Sequence, residues 1–428
     1  MEGILRFKGR EYGVPFTLPG DLVQFQARGR HFRVVKVEPL EGRKWAAEPF
    51  CEHYADCGGC RGQHFPYQDQ LAMKSEPVLA AMKAHYGLDV EIVPAAAIRS
   101  YRNRMDFVVD QGLLGLRPAG EFSRIVPIQN CAIQTDPANQ LLQAVRTALS
   151  AAPGASFSRS ETATGTLKYV TLRSGDEGVV VLTIEAGRAG DPEYVQFLRK
   201  LMALLPQVSL IQTESQHPQE VSCIPGGQAL QGGLNFKARI PLTQCGQSLN
   251  FSVPYDAFFQ PNPIAFGNLL EAMESFLLER LVGLNEAHVL DLFCGVGTLS
   301  VYLARRFAPR FSRFTGIDFT GSAIQMASMN LAMPGAELRF LERDLNREKD
   351  LPAAPDFVVL DPPRAGAGPV LRKYLESLSC PILYISCNPE SQLSDLKSIP
   401  SYRPIKAWIV DQIPQTPHLE QAVYLEKI

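Results

Sequence analysis

The chain has 428 residues, 46% of them hydrophobic, and a formal net charge of −2. That is material for two or three cores at roughly 100–200 residues each, and it excludes a protein that gathers polyanions by bulk charge. No apolar run is long enough to span a bilayer, and Met1 to Arg10 lacks the apolar stretch of a secretion signal. Nine cysteines without such a signal predict a cytoplasmic protein, where clustered cysteines mean metal binding or catalysis rather than disulfides.

Residues 1–45 carry nine Lys/Arg against five Asp/Glu, leaving −6 for the rest of the chain. Alternating stretches such as Leu22 to Phe25 and Phe32 to Val37 predict short strands, punctuated by Pro15, Pro19 and Gly20. Five such strands closing into a small barrel would offer Arg28, Arg30, His31, Arg33 and Lys36 as a face for nucleic acid. A solvated charged exterior accounts for the same residues equally well.

The spacing Cys51-x5-Cys57-Gly58-Gly59-Cys60 follows. Two glycines let the backbone turn tightly between thiolates. A four-ligand site needs one more thiolate, and Cys131 is the nearest candidate; four thiolates suit either zinc or an iron–sulfur cluster. A helix is expected from about Leu71 to Tyr86, with Leu71, Val78, Leu79, Met82 and Tyr86 on one face. Tyr101, Arg102 and Arg104 stand where a strand begins and are candidates for stacking on a base and binding phosphate. Strands near Lys168 to Arg173 and Gly178 to Glu185, with a helix from Pro192 to Leu204, predict an α+β middle region. Further on, Phe258 and Phe259 read as apolar cover, Gln260 as a residue reaching into a pocket, and Phe266 to Val282 as a helix.

From about Glu286 the rhythm becomes strand, helix, strand, helix. The strand Ala287 to Phe293 runs into Gly295 and Gly297, which let the turn approach a ligand. A second strand ends at Asp318, placed for a ribose hydroxyl pair. Gly-x-Gly with this acid leaves NAD and S-adenosylmethionine both open. The strand Phe357 to Leu360 runs into Asp361-Pro362-Pro363-Arg364, a rigid turn that presents a carboxylate to a planar target. Ile382 to Ile385 is a buried strand ending in Ser386-Cys387-Asn388-Pro389. It places a thiol in the crevice beyond the strands' carboxyl ends, where ligands bind. The last strand, Ala422 to Leu425, follows Glu420, while His418 reads as a surface histidine.

Taken in order, the cysteine set, Gln260, Asp291-Leu292-Phe293-Cys294-Gly295-Val296-Gly297, Asp361-Pro362-Pro363-Arg364, Ser386-Cys387-Asn388-Pro389 and His418-Leu419-Glu420 resemble the RNA uracil-5-methyltransferases. The likeness is greatest to the branch acting on large-subunit (23S) ribosomal RNA. It implies a multidomain α/β chain: a TRAM-type, OB-like β-barrel over 1–45 that binds RNA, a central α+β domain over 46–250 with a 4Fe-4S cluster, and a Rossmann-like S-adenosylmethionine-dependent methyltransferase domain over 251–428. It also implies that Cys51, Cys57, Cys60 and Cys131 hold the cluster. Gln260, Phe293, Thr298, Asp318, Asp344 and Asp361 would line the S-adenosylmethionine site, with Cys387 as nucleophile and Glu420 as base. Thr298, Asp318 and Asp344 stand where relatives often carry asparagine, glutamate and a neutral amide.

The chemistry follows from the target. Carbon 5 of uracil is too weak a nucleophile to take a methyl group directly, and addition of a thiolate at carbon 6 makes it enolate-like. A base must then remove the carbon 5 proton before the thiolate is expelled. The site is therefore expected to favour the Cys387 thiolate, and the base to leave its stack to reach it. The chain is expected to act as a monomer on RNA, without a membrane partner. The same chemistry on the transfer-RNA T-loop uridine, methylation of another base, and a non-catalytic RNA-binding scaffold are the alternatives.

Overall fold

The computed structural model describes residues 2–7, 9–17, 20–28, 31–38, 46–121, 123–158, 165–216, 222–347, 351–352 and 354–428. At the N-terminus, Glu2–Phe7 pairs antiparallel with Arg10–Pro15, and Leu22–Arg28 with His31–Glu38. The hairpins form separate two-stranded sheets, joined by an edge-to-face contact of Phe7 with Phe25 at 4.9 Å. Four strands in two separate hairpins are thus described where five closing into a barrel were expected, and no sheet joins the hairpins among the described residues. Of the expected basic face, Lys36 pairs with Glu38 at 2.7 Å. Arg30 and the side chains of Arg28, His31 and Arg33 lie outside the described residues.

The middle of the chain builds a seven-stranded sheet in the spatial order Gln228–Gln231, Ser209–Ser215, Gly178–Glu185, Leu167–Ser174, Arg104–Asp110, Leu113–Leu116, Val126–Pro127. All neighbours are antiparallel except Gly178–Glu185 and Ser209–Ser215. Successive side chains in Gly178–Glu185 point to opposite faces. Val180, Leu182 and Ile184 pack under the helices Asp136–Ala151 and Pro192–Leu204, against Leu142, Val145, Tyr194 and Phe197. Val179 and Val181 face the other way, onto the hairpin Asn235–Leu242/Gln247–Pro254. That hairpin is half of a larger core reaching into the last sheet through Phe266, Leu270, Tyr302 and Phe357.

The last sheet has eight strands, ordered Glu337–Glu342, Phe311–Asp318, Ala287–Leu292, Phe357–Leu360, Ile382–Ser386, Glu420–Lys427, Tyr402–Val410, Val90–Val93. Glu420–Lys427 runs antiparallel between its two neighbours, and the other pairings are parallel. The edge strand Val90–Val93 comes from far earlier in the chain, just after the helix Tyr67–Tyr86. The direction of winding reverses between Ala287–Leu292 and Phe357–Leu360, which opens a crevice at their carboxyl ends. No helix among the described residues is long and apolar enough to cross a membrane.

Candidate active site

Four strand ends converge on one cavity of about 500 Å³. The turn after Ala287–Leu292 supplies Phe293, Cys294 and Gly295. Phe293 sits at a φ of 61°, Gly295 at 52° and Gly297 at 82°, left-handed conformations that glycine adopts without penalty and phenylalanine does not. Helix Thr298–Arg306 starts at once. A side chain at position 297 would meet the Cβ of Ala327 at 3.3 Å, so glycine there also lets the next helix close in. Asp318 ends Phe311–Asp318. Its carboxylate accepts hydrogen bonds from the Gly295 and Thr320 amides at 3.0 and 2.8 Å, tying the acid to the glycine turn.

Asp361 follows Phe357–Leu360 and receives the Gln260 Nε2 at 3.4 Å. The Gln260 amide is itself fixed, since its Oε1 accepts from Gln412 at 2.6 Å and its backbone carbonyl from Asn103 at 3.0 Å. The thiol of Cys387 ends Ile382–Ser386, half-buried. Asn388 caps the helix Pro389–Lys397, and its Nδ2 donates to the Arg364 carbonyl at 2.9 Å, linking the thiol's turn to the proline turn. Glu420, 5% exposed, is the first residue of the antiparallel strand beside Cys387. Gln260, Phe293, Thr298, Asp318, Asp344, Asp361, Cys387 and Glu420 all line this one cavity.

The electrostatics depart from expectation at the thiol. Burial pushes Cys387 up to about 11, and the nearby Glu420 and Asp361 carboxylates push the same way against the opposing charge of Arg364. Burial, the largest cause, thus favours the protonated thiol where a thiolate was expected. Both acids are raised as well. Burial lifts Asp361 to about 7 and Glu420 well above the carboxylate range, with Asp361 adding to the rise at Glu420. Asp291, buried beneath and bonded to the Ser300 amide and hydroxyl, rises to about 7.

Phe319 and Arg343 were not assigned from sequence, whereas Phe258 and Phe259 were expected as apolar cover. Phe319, 72% exposed, and Phe258, 61% exposed, rim the cavity, while Phe259 is core. Arg343 stands beside Asp344 on the same wall. A phenylalanine directly after the strand-end acid Asp318 was a readable signal. His418 is no surface residue. It is half-buried, accepts a hydrogen bond at Nδ1 from Arg364 at 3.2 Å, and is lowered to about 4 by burial and by Arg364, Lys74, Arg61 and Arg102.

The expected stacking of a base on Tyr101 is overturned. Tyr101 is 3% exposed, so no base can stack on it, and its hydroxyl donates to the Pro414 carbonyl at 2.8 Å. Arg104 makes a forked pair with Asp106. Arg102 is part-buried, lines the cavity of the cysteine set and donates to the Arg104 carbonyl.

A second site lies nearby. Cys51, Cys57, Cys60 and Cys131 line a separate cavity of about 330 Å³. Gly58 turns where any side chain would collide with the Ala119 amide at 2.7 Å, and the buried Gln63 accepts from the Cys51 amide. Among the described residues no group of three or more His, Cys, Asp or Glu side chains is gathered as a single metal ion requires. Four thiols lining one cavity are a donor set of the kind that zinc or an iron–sulfur cluster takes.

Comparison with known proteins bears directly on the cleft. Residues 238–428 match the family model of tRNA (uracil-5-)-methyltransferases. A protein of Leptospira interrogans named as an uncharacterized RNA methyltransferase is 33% identical, covering 100% of this chain and 94% of its own length. The tRNA (uracil(54)-C(5))-methyltransferase of Pyrococcus furiosus is 27% identical over 97% of this chain and 95% of its own. The fold matches the crystal structure of the Pyrococcus abyssi tRNA (uracil-54, C5)-methyltransferase with S-adenosyl-L-homocysteine at a TM-score of 0.71, with 24% identity over 99% of this chain and 100% of that one. The chain belongs to the RNA uracil-5-methyltransferases. It is an S-adenosylmethionine-dependent enzyme that methylates carbon 5 of uracil in RNA.

Proposed function

We propose that Cys387 is the nucleophile and Glu420 the base of this reaction. The observation that carries the reading is the single cavity in which a strand-end thiol, two proton-holding acids and a glycine turn meet. Bound there, S-adenosylmethionine supplies an electrophilic methyl group. Asp318 holds its ribose hydroxyls, Phe319 and Phe258 cover its adenine, and Gln260, Phe293, Thr298 and Asp344 complete the wall. Asp361 accepts a hydrogen bond from the ring N–H of uracil. A sulfonium bound there would favour the ionised forms of the thiol and both acids, their protons passing to solvent. The Cys387 thiolate then bonds to carbon 6. After methyl transfer Glu420 takes the carbon 5 proton, the carbon 5–carbon 6 double bond re-forms, and the carbon–sulfur bond breaks with its electron pair on sulfur, releasing the thiolate.

Cys51, Cys57, Cys60 and Cys131 are assigned to a 4Fe-4S cluster with a structural role, and residues 1–45 to a TRAM-type barrel that holds RNA. The domain division at 45 and 250 belongs to the same reading, as does a cytoplasmic monomer. Iron and acid-labile sulfide measured on anaerobically purified protein test the cluster; serine at any of the four positions should lower both. The substrate proposed is a uridine of 23S ribosomal RNA, on the likeness of the cysteine set to that branch. The full-length match to Pyrococcus enzymes named for uracil-54 of tRNA supports the T-loop as the second reading. Methylating both RNAs in vitro and mapping the product by mass spectrometry decides between them, and Cys387→Ala should methylate neither.

A further inference from the structure

A second cavity, of about 440 Å³, meets the donor cavity at the nucleophile: Cys387 and Arg364 line both. One wall is apolar, built by Met73, Val78 and Ala81 on a face of the helix Tyr67–Tyr86. The opposite wall is polar and carries Arg364, Asn388 and His418. The Arg364–His418 hydrogen bond holds that wall in place, and Lys74, Arg61 and Arg102 lie close enough to act on the same imidazole. Lys74 is largely neutralised by Asp411 at 2.7 Å, which leaves the arginines to set the potential. Glu390, also lining the cavity, is exposed at its outer edge.

Bond connectivity says what this cavity faces. Carbon 6 of uracil is bonded to N1, and N1 carries the ribose. A sulfur bonded to carbon 6 therefore has the sugar two bonds from the atom it attacks. Carbon 5, which takes the methyl group, looks into the donor cavity. The ribose leaves N1 in the ring plane, from the atom bonded to the attacked carbon, so the sugar and its phosphates stay close to the sulfur, at which the second cavity opens. We propose that this cavity receives the ribose of the target uridine together with the adjoining nucleotide, a phosphate on Arg364 and the neighbouring base against the helix wall. A splayed base needs an apolar face and a phosphate needs a fixed cation, and the two walls supply one each. This inference rests on Cys387 being the nucleophile.

The test uses the full-length enzyme and an RNA carrying 5-fluorouridine at the target, which arrests the covalent adduct. Ala81→Trp fills the apolar wall and touches neither the donor cavity nor the core. It should slow adduct formation by about ten-fold or more, as misplacing a reactant does, with S-adenosylhomocysteine affinity and Tm unchanged. A neutral methylphosphonate is then placed on the 5′ or the 3′ side of the target. On the contacted side it should weaken wild-type binding by about five-fold and add nothing to Arg364→Gln. Adduct formation at wild-type rate by Ala81→Trp overturns the assignment, as do methylphosphonates on both sides that cost wild type and Arg364→Gln the same. If the wild-type enzyme itself makes no adduct with this RNA, the role of Cys387 fails and the cavity is not what was at fault.

Discussion

At the scale of single residues the site is governed by protons. Below about 11, the reactive fraction of the free Cys387 thiol grows tenfold for each step in pH. Adduct formation by enzyme lacking the methyl donor should therefore climb steadily from pH 7 to 10, measured with 5-fluorouridine RNA; a plateau near pH 8 contradicts the burial effect. Glu420→Gln should still transfer the methyl group but leave methylated RNA bonded to the protein, visible as a band stable in denaturing gels. Asp291 adds a stability effect of definite sign. Its folded value of about 7 lies above the roughly 3.9 of an unfolded aspartate. The folded state thus holds the extra proton between those values, and stability falls as pH rises through that window. Asp291→Asn should consequently raise Tm at pH 8 and have little effect at pH 4. Cys387 and Asp361 stood out in the sequence because each follows an apolar strand at a fixed turn, whereas Gln260, in the loop before the helix Pro263–Arg280, and Glu420 take their proposed roles from the family resemblance. The thiol's protonation was not legible, since it depends on how the fold buries the sulfur and which charges it brings near.

Among the elements, the loop from Asp411 to Leu419 joins the two sites. It leads straight into Glu420, and the rest of the molecule grips it from both cysteine-bearing segments. The Arg61 and Gly62 amides, next to Cys60, donate to the Gln415 carbonyl at 2.7 and 3.1 Å. Tyr101, whose amide is bonded to the Ile133 carbonyl two residues past Cys131, donates its hydroxyl to Pro414. Gln415 itself sits at a φ of 69°, a conformation the surrounding bonds must maintain. Tyr101→Phe should loosen the loop at a cost of about 1 kcal/mol. It should slow release of the methylated adduct more than its formation, read by quenched-flow with labelled RNA. Equal slowing of both steps rules out a selective effect on Glu420. The helices Tyr67–Tyr86 and Pro192–Leu204 were readable from their apolar spacing. The helix Asp136–Ala151 carries the same signal in Leu141, Leu142, Val145, Ala148 and Leu149, all buried, and was not among the expected elements. The loop's role had no sequence signature, because its partners lie more than 300 residues away.

Across the whole molecule, the alternation of strand and helix after Glu286 announced the last sheet, whereas its far edge did not announce itself. Val90–Val93 has a mixed burial pattern and only four residues, and its place beside Tyr402–Val410 is decided by packing over long range. The chain thus wraps its middle region around the catalytic sheet, and Arg173 shows how firmly. It is fully buried and donates to the carbonyls of Pro254, Tyr255 and Ala257 at 3.0, 2.6 and 2.7 Å, fixing the backbone that leads to Phe258 and Gln260. Arg173→Met removes the guanidinium donor from all three carbonyls, leaving Pro254 only the Ala257 amide and Tyr255 only the Cys223 thiol, and should lower both Tm and S-adenosylhomocysteine affinity, measured by calorimetry. Removal of residues 1–45 should instead spare that affinity while flattening the salt dependence of RNA binding.

The protonated state of Cys387 has one more consequence. Oxidants and alkylating metabolites attack sulfur as the anion. With the thiol at about 11, only about one molecule in ten thousand offers that anion at neutral pH. An idle enzyme is thereby spared the damage that a permanently armed cysteine would accumulate between encounters with RNA.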